Sequence, residues 1–217
     1  MELLANLIYV ALHLDQYLPI LIQQYGVWIY IAVFVSIFGE TGFVVTPFFP
    51  GDSLLFVVGT LAAAGGEQGF NIYGLISILW LAATFGNTVN YHVGRFLGPK
   101  VFQWENSRFF NRESLEKTRV FYVEHGGKAL IISRFLPVIR SFAPFVAGAS
   151  AMNYARFTFF NVAGSLVWVL SFTLGGYFFG TFPWVQRNLF WVILGLIGIT
   201  LTPAVIGWLR QKKDSHT

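Results

Sequence analysis

Residues 129–150 read Ala129-Leu-Ile-Ile-Ser-Arg134-Phe-Leu-Pro137-Val-Ile-Arg140-Ser-Phe-Ala-Pro144-Phe-Val-Ala-Gly148-Ala-Ser150, and this stretch decides the fold. It is apolar enough for a bilayer, yet it carries two arginines and two prolines. An arginine at the bilayer centre costs roughly 2.5–3.5 kcal/mol on insertion scales, so two in one segment require compensation. Proline inside a helix removes a backbone donor and clashes with the preceding turn. Such a backbone survives at membrane depth only where protein or a water-filled cavity surrounds it. Residues 129–152 therefore read as a re-entrant helical hairpin lining a polar site, with Pro137, Pro144 and Gly148 shaping it.

The rest of the chain agrees with a membrane setting. Of its 217 residues, 55% are hydrophobic and 11% charged, against about 25% charged in soluble domains. The expected class is an all-α integral membrane protein with one membrane domain and no separate soluble one. The net charge of +4 lies beside apolar segments, and no basic-aromatic motif accompanies it. Positive-inside topology accounts for it, and no nucleic-acid partner is expected. The absence of cysteine excludes disulfides, thiolate metal sites and thiol catalysis. The first residues lack a basic n-region and a small-residue cleavage site, so no cleaved signal peptide is expected.

Outward from the hairpin, residues 1–25 read as an interfacial or membrane helix interrupted by His13, Asp15 and Pro19. Residues 27–64 are too long for one span and are broken around Thr46-Pro47 and Pro50-Gly51-Asp52, with Glu40 also inside. They read as a first re-entrant hairpin. Residues 71–95 form a transmembrane helix. Residues 96–128 form a polar, amphipathic cytoplasmic connector, which Gly126-Gly127 should terminate. Two more spans follow at 156–181 and 188–209, and 210–217 is a cytoplasmic tail.

Charge placement sets the topology. Both basic segments, 95–128 and 210–213, belong in the cytoplasm. The last two spans return the chain to the side it left, so residue 156 is cytoplasmic like residue 128. The segment between them then enters and leaves on one face. The same logic puts the Gly65–Gly69 loop outside, so the two broken segments enter from opposite faces, as in transporters built from inverted repeats. A weak echo supports a repeat: Gly94 and Gly98 end one half as Gly176 and Gly180 end the other.

Facing hairpins would bring Glu40 and Asp52 near Arg134 and Arg140. Opposed charges of this kind tolerate burial by neutralising one another, which could be purely structural. Charges inside a membrane otherwise mark a pathway. Arginine's planar fork suits a phosphate, and a carboxylate in low dielectric can take up a proton. The expectation is that Arg134 and Arg140 bind a phosphate headgroup while Glu40 and Asp52 couple to protons. Asn87, Asn90 and Arg95 are candidate cavity-lining residues, with interhelical packing or topology anchoring as their plainer roles. The histidines show no ligand spacing, so no metal is expected, nor any other cofactor. Trp168, Trp184, Trp191 and Trp208 fit aromatic belts. No hydrolase, Walker or zinc-protease motif is present, and an enzyme is not expected.

These residues carry a family resemblance. Phe38-Gly-Glu-Thr-Gly42, Pro47-Phe-Phe-Pro-Gly-Asp-Ser53, Gly86-Asn-Thr-Val-Asn-Tyr-His-Val-Gly-Arg95, His125-Gly-Gly-Lys128, Ser133-Arg-Phe-Leu-Pro-Val-Ile-Arg-Ser141 and Phe145-Val-Ala-Gly148 resemble the DedA family, also called SNARE-associated or VTT-domain proteins. The resemblance implies opposed re-entrant hairpins in the bacterial inner membrane and lipid translocation, undecaprenyl phosphate among the substrates. It also implies links to proton-motive force and envelope integrity, with the functional acids at Glu40 and Asp52 and the arginines at Arg134 and Arg140. The chain departs from close relatives at Asn87, where an Asp can stand. The first functional expectation is a proton-coupled flippase for a lipid phosphate. A non-selective phospholipid scramblase, a proton-coupled small-ion exporter and a non-transporting assembly factor stay open, as does assembly into a homo-oligomer.

Overall fold

The computed structural model describes residues 14–42, 51–64, 70–97, 112–188, 191–192 and 194–195, and among these every regular element is helical. Helix α1 (Leu14–Gly42) is followed by α2 (Gly51–Ala64), α3 (Ile72–Leu97) and α4 (Arg112–His125). Short α5 (Ala129–Ile132) lies between two 3-10 turns, and α6 (Pro137–Ala149), α7 (Tyr154–Gly180) and α8 (Pro183–Arg187) complete the order. Gln24–Gly42 of α1, all of α3 and all of α7 are long and apolar enough to cross a membrane. By contrast α2 and α6, at 14 and 13 residues, are about 20 Å long and fall short of a hydrocarbon core of about 30 Å.

Local chemistry sets these boundaries. Asn71 Oδ1 accepts from the Tyr73 and Gly74 amides at 3.0 and 3.1 Å and caps α3. Asn153 Oδ1 accepts from the Ala155 and Arg156 amides at 3.0 and 3.2 Å and caps α7 in the same way. Gly126 ends α4 with φ 58°, a left-handed conformation that costs glycine little. The chain then passes through α5 to Leu136, extended at φ −113°, ψ 103°. Pro137 restarts the helix in its first turn, where an amide hydrogen would have no partner anyway. So Pro137 stands at a break, whereas α6 continues through Pro144 to Ala149.

One difference from the sequence reading concerns continuity. Helix α1 runs unbroken through residues 25–27, where the sequence suggests a division. Gly26 meets nothing within 4 Å, and a single glycine weakens a helix without ending it. Pro50 and the break at 43–50, residues 1–13, the 98–111 part of the connector, most of 188–209 and the 210–217 tail lie outside the described residues.

Contacts group the chain into two compact units, one within Met1–Tyr30, Pro50–Leu75 and Phe172–Thr217, the other within Ile31–Phe49 and Ile76–Ser171. In the first, α2 lies against the end of α7. A Cβ on Gly59 would strike the Thr173 carbonyl, and one on Gly176 the Phe56 carbonyl. Thr60 Oγ1 adds a hydrogen bond to Gly176 O at 3.1 Å. In the second unit α6 lies against the end of α3: a Cβ on Gly148 would strike the Tyr91 carbonyl, and one on Gly94 the Phe145 carbonyl. Small residues permit such backbone approach between helices in a membrane. The pattern recurs in register. Phe56 precedes Gly59 as Phe145 precedes Gly148, and Thr173 precedes Gly176 as Tyr91 precedes Gly94. Asn71 and Asn153 are separated by the same interval as Gly94 and Gly176.

The second unit has the better-defined core. Phe142, Phe145, Val146 and Ala149 of α6 form one buried cluster. Tyr91, Leu130, Ala143, Ala147, Met152 and Phe157 form another, and Tyr122 of α4 packs on both. The Tyr91 and Phe157 rings stack at 4.1 Å between centroids. This packing seats the break before α6 against α3 and α7.

Candidate functional site

Within the second unit, the last turn of α1, the middle of α3, the α5–α6 break and α7 converge on a small polar cavity. Gly86 lets α1 and α3 come close, since a Cβ there would strike Thr41 Oγ1 and lie 2.9 Å from Phe38 O. Glu40 is thereby delivered to the site. Arg140, one turn into α6, donates from Nη2 to Glu40 Oε1, and the two side chains are 11% and 4% exposed. This is a buried ion pair, whose desolvation cost is offset only if the charges stay matched.

Arg134 lies on the other side of the break and is 5% exposed. Its Nη2 donates to Asn161 Oδ1 at 2.9 Å and to Ser165 Oγ at 2.5 Å, both on α7. Among the described residues no carboxylate lies within ion-pair distance of it, and its buried Nε has no partner. Trp168 lies beneath both guanidiniums, 5.7 Å from the Arg134 carbon and 5.8 Å from the Arg140 carbon to the ring centroid. The face of the indole ring attracts cations and lowers the cost of holding two of them so close. Glu40, Arg134, Arg140, Asn87 and Trp168, with Thr41 and Ser141, line a cavity of about 20 Å³. That is room for about one water-sized group. Glu40 pairs with Arg140, so among the described residues the lining carries one unmatched positive charge, on Arg134.

The residues singled out from the sequence divide accordingly. Glu40, Arg134, Arg140 and Asn87 come together at the cavity. Asn90 braces its wall: Nδ2 donates to Ser141 O at 3.0 Å and to Thr41 O at 3.3 Å, joining α3 to the start of α6 and the end of α1. Arg95 is engaged elsewhere, donating to Tyr91 Oη at 2.9 Å and Met152 O at 3.3 Å, where it fastens the α6–α7 turn to α3. Gly148 serves the α6–α3 approach described above. Gly51 and Asp52 form the first turn of α2, in the first unit. Trp168 is 2% exposed, so it is a wall of the site and not a belt residue, whereas Trp184 and Trp191 are exposed, at 66% and 65%.

Sequence reasoning missed Asn161, Ser165 and Trp168. Asn161 is the hub of the polar contacts: Oδ1 accepts from Arg134 and from Asn87 Nδ2 at 3.0 Å, and Nδ2 donates to Thr84 O at 3.0 Å. A signal was present, since Asn161 is the one amide side chain in the 157–180 segment.

Comparison with known proteins adds identity to this geometry. A family model described as the VTT domain matches residues 49–178. Protein DedA of Escherichia coli (strain K12) is 48% identical over 213 residues, covering 98% of this chain and 97% of its own. An uncharacterized membrane protein of Mycobacterium leprae (strain TN) is 38% identical over 187 residues, 86% of this chain and 82% of its own. Inner membrane protein YqjA of Escherichia coli (strain K12) is 38% identical over 157 residues, 71% of this chain and 69% of its own. No solved structure matches the chain.

Proposed function

The chain belongs to the VTT-domain family of DedA proteins and is a multi-pass inner-membrane protein, and on that premise we propose that it translocates a lipid phosphate, undecaprenyl phosphate first among candidates. The observation that carries this reading is Arg134. A buried guanidinium held by neutral partners is costly in a membrane and becomes favourable when an anion arrives. The Glu40–Arg140 pair taken alone fits a structural clasp, because its charges already match. Arg134 does not fit that description.

In this reading Arg134 takes the phosphate by its free edge, and Arg140 joins when Glu40 is protonated and releases it. Proton coupling then follows from one carboxylate shared between an arginine and a proton, with Asp52 a second candidate carrier. The cavity is smaller than a phosphate, so this is a closed state and loading requires the α5–α6 break or Trp168 to move. The lipid tail stays in the bilayer, the chemistry needs no cofactor, and the protein is a transporter, not an enzyme. Short α2 and α6 are read as the helical arms of two re-entrant hairpins, entering from opposite faces as an inverted repeat. The matched glycine contacts and matched asparagine caps support that reading.

The test is native mass spectrometry of the purified protein with undecaprenyl phosphate, phosphatidylethanolamine as competitor, and the Arg134→Ala and Arg140→Ala variants. Selective binding of the phosphate, weakened at least tenfold in both variants, is expected. Equal and mutation-insensitive binding of the two lipids would overturn the proposal in favour of unselective scrambling.

A further inference from the structure

We propose that Asn161 sets the specificity of this site: it is a neutral amide that fixes the Arg134 fork without neutralising it, so the counter-charge has to come from the ligand. The inference rests on the lipid-phosphate reading and deepens it by identifying what keeps the site selective for an anion.

The orientation of the amide is decided by its partners. Asn161 Nδ2 donates to Thr84 O at 3.0 Å and reaches Thr88 Oγ1 at 3.4 Å. A carbonyl only accepts, so the nitrogen has to point there. Oδ1 is thereby turned the other way, where it accepts from Asn87 Nδ2 at 3.0 Å and from Arg134 Nη2 at 2.9 Å. Ser165, one turn further along α7, accepts from the same Nη2 at 2.5 Å. Both Nη2 hydrogens are thus committed to neutral acceptors, which fixes the plane of the guanidinium. Its Nε stays buried without a partner among the described residues.

A guanidinium this deep would ordinarily be given a carboxylate, as Arg140 is given Glu40. Aspartate has nearly the shape of asparagine and at position 161 would sit at ion-pair distance from Arg134. The site would then be balanced within the protein and would gain little from an incoming anion. The amide supplies the positioning of an acid without its charge, and Asn87 extends the same neutral contact. Asn161 touches no ligand in this scheme and acts through Arg134. It is a positioning residue.

The experiment uses the full chain in phosphatidylcholine nanodiscs, titrated with undecaprenyl phosphate and, separately, with the uncharged alcohol undecaprenol. Wild type, Asn161→Asp, Asn161→Leu and Arg134→Gln are compared, and thermal unfolding is followed for each. Wild type is expected to prefer the phosphate over the alcohol at least tenfold, with Arg134→Gln removing the preference. Asn161→Asp is expected to remove it too while affinity for the alcohol stays within twofold, a change of selectivity that lost packing alone would not give. Should Asn161→Asp not fold, Asn161→Leu is read instead, and its preference has to fall at least threefold. A phosphate preference kept within twofold of wild type in the folded variant overturns the role of Asn161 alone. No preference in wild type overturns the lipid-phosphate reading and this inference with it.

Discussion

At the scale of single residues, Arg134 and Arg140 are chemically identical and energetically opposite. Arg140 is paired with Glu40, and breaking a buried ion pair by removing one partner costs about 3–5 kcal/mol. Glu40→Ala is therefore expected to lower the unfolding temperature strongly, whereas the double change Glu40→Ala with Arg140→Met should recover most of the loss. Thermal unfolding in nanodiscs checks this, and a double variant no better than Glu40→Ala would contradict the pairing. Arg134 has no acid among the described residues and leaves Nε unsatisfied. Arg134→Met keeps apolar bulk against Trp168 and removes an unmatched charge, so it should unfold at or above the wild-type temperature while losing phosphate binding. Natural proteins retain such destabilising groups where function requires them. A variant that binds normally, or one that unfolds well below wild type, would place Arg134 with the structural residues.

At the scale of elements, glycines set how closely helices approach, and not all of them matter equally. Cβ atoms on Gly94, Gly148, Gly59 and Gly176 would each meet backbone carbonyls, which cannot rotate away. Gly94→Ala and Gly176→Ala are each expected to force their helix pairs apart and destabilise by about 1–3 kcal/mol, the range for overpacking. Gly26→Ala meets nothing and should stabilise α1 by about 0.5–1 kcal/mol. Unfolding midpoints of the three variants check the order, and a Gly94→Ala protein as stable as Gly26→Ala would sink the argument. What the sequence made legible follows the same division. Glu40, Arg134 and Arg140 could be found because ionised groups are rare in apolar segments, and the Pro137 break because proline cannot be hidden. Asn161 and Ser165 could not, since amides and hydroxyls are common in membrane helices and acquire meaning only when α7 packs on the break. Trp168 read as a belt residue for a similar reason: its number along the chain says nothing about which way α7 turns it. The two glycine-mediated contacts were only faintly visible, because a glycine's partner carbonyl leaves no mark on the sequence.

At the scale of the whole molecule, the unusual claim is that residues 129–152 enter and leave on one face of the membrane. Helix α6 has 13 residues and α5 only four, so neither crosses a bilayer alone, and the extended Leu136 separates them. Positive charge in the connector that precedes them predicts that α4 lies in the cytoplasm. If the segment is re-entrant, the start of α7 lies on that same side, and α3, which ends at the connector, must begin on the other. The chain has no cysteine, so single cysteines report their position without background. Val123 on α4, Ala155 in the first turn of α7 and Tyr73 in the first turn of α3 are all exposed. A membrane-impermeant maleimide applied to spheroplasts is expected to label Tyr73→Cys and to spare Val123→Cys and Ala155→Cys. Applied to inverted inner-membrane vesicles, it should label the last two and spare the first. Labelling of Val123→Cys and Ala155→Cys from opposite faces would mean that residues 129–152 cross the membrane. Arg134 and Arg140 would then lie along a span instead of at the closed end of a hairpin. The arginine geometry proposed to bind phosphate in the second unit would survive that result, but the proposed inverted repeat, and with it the alternating exposure that a carrier needs, would not.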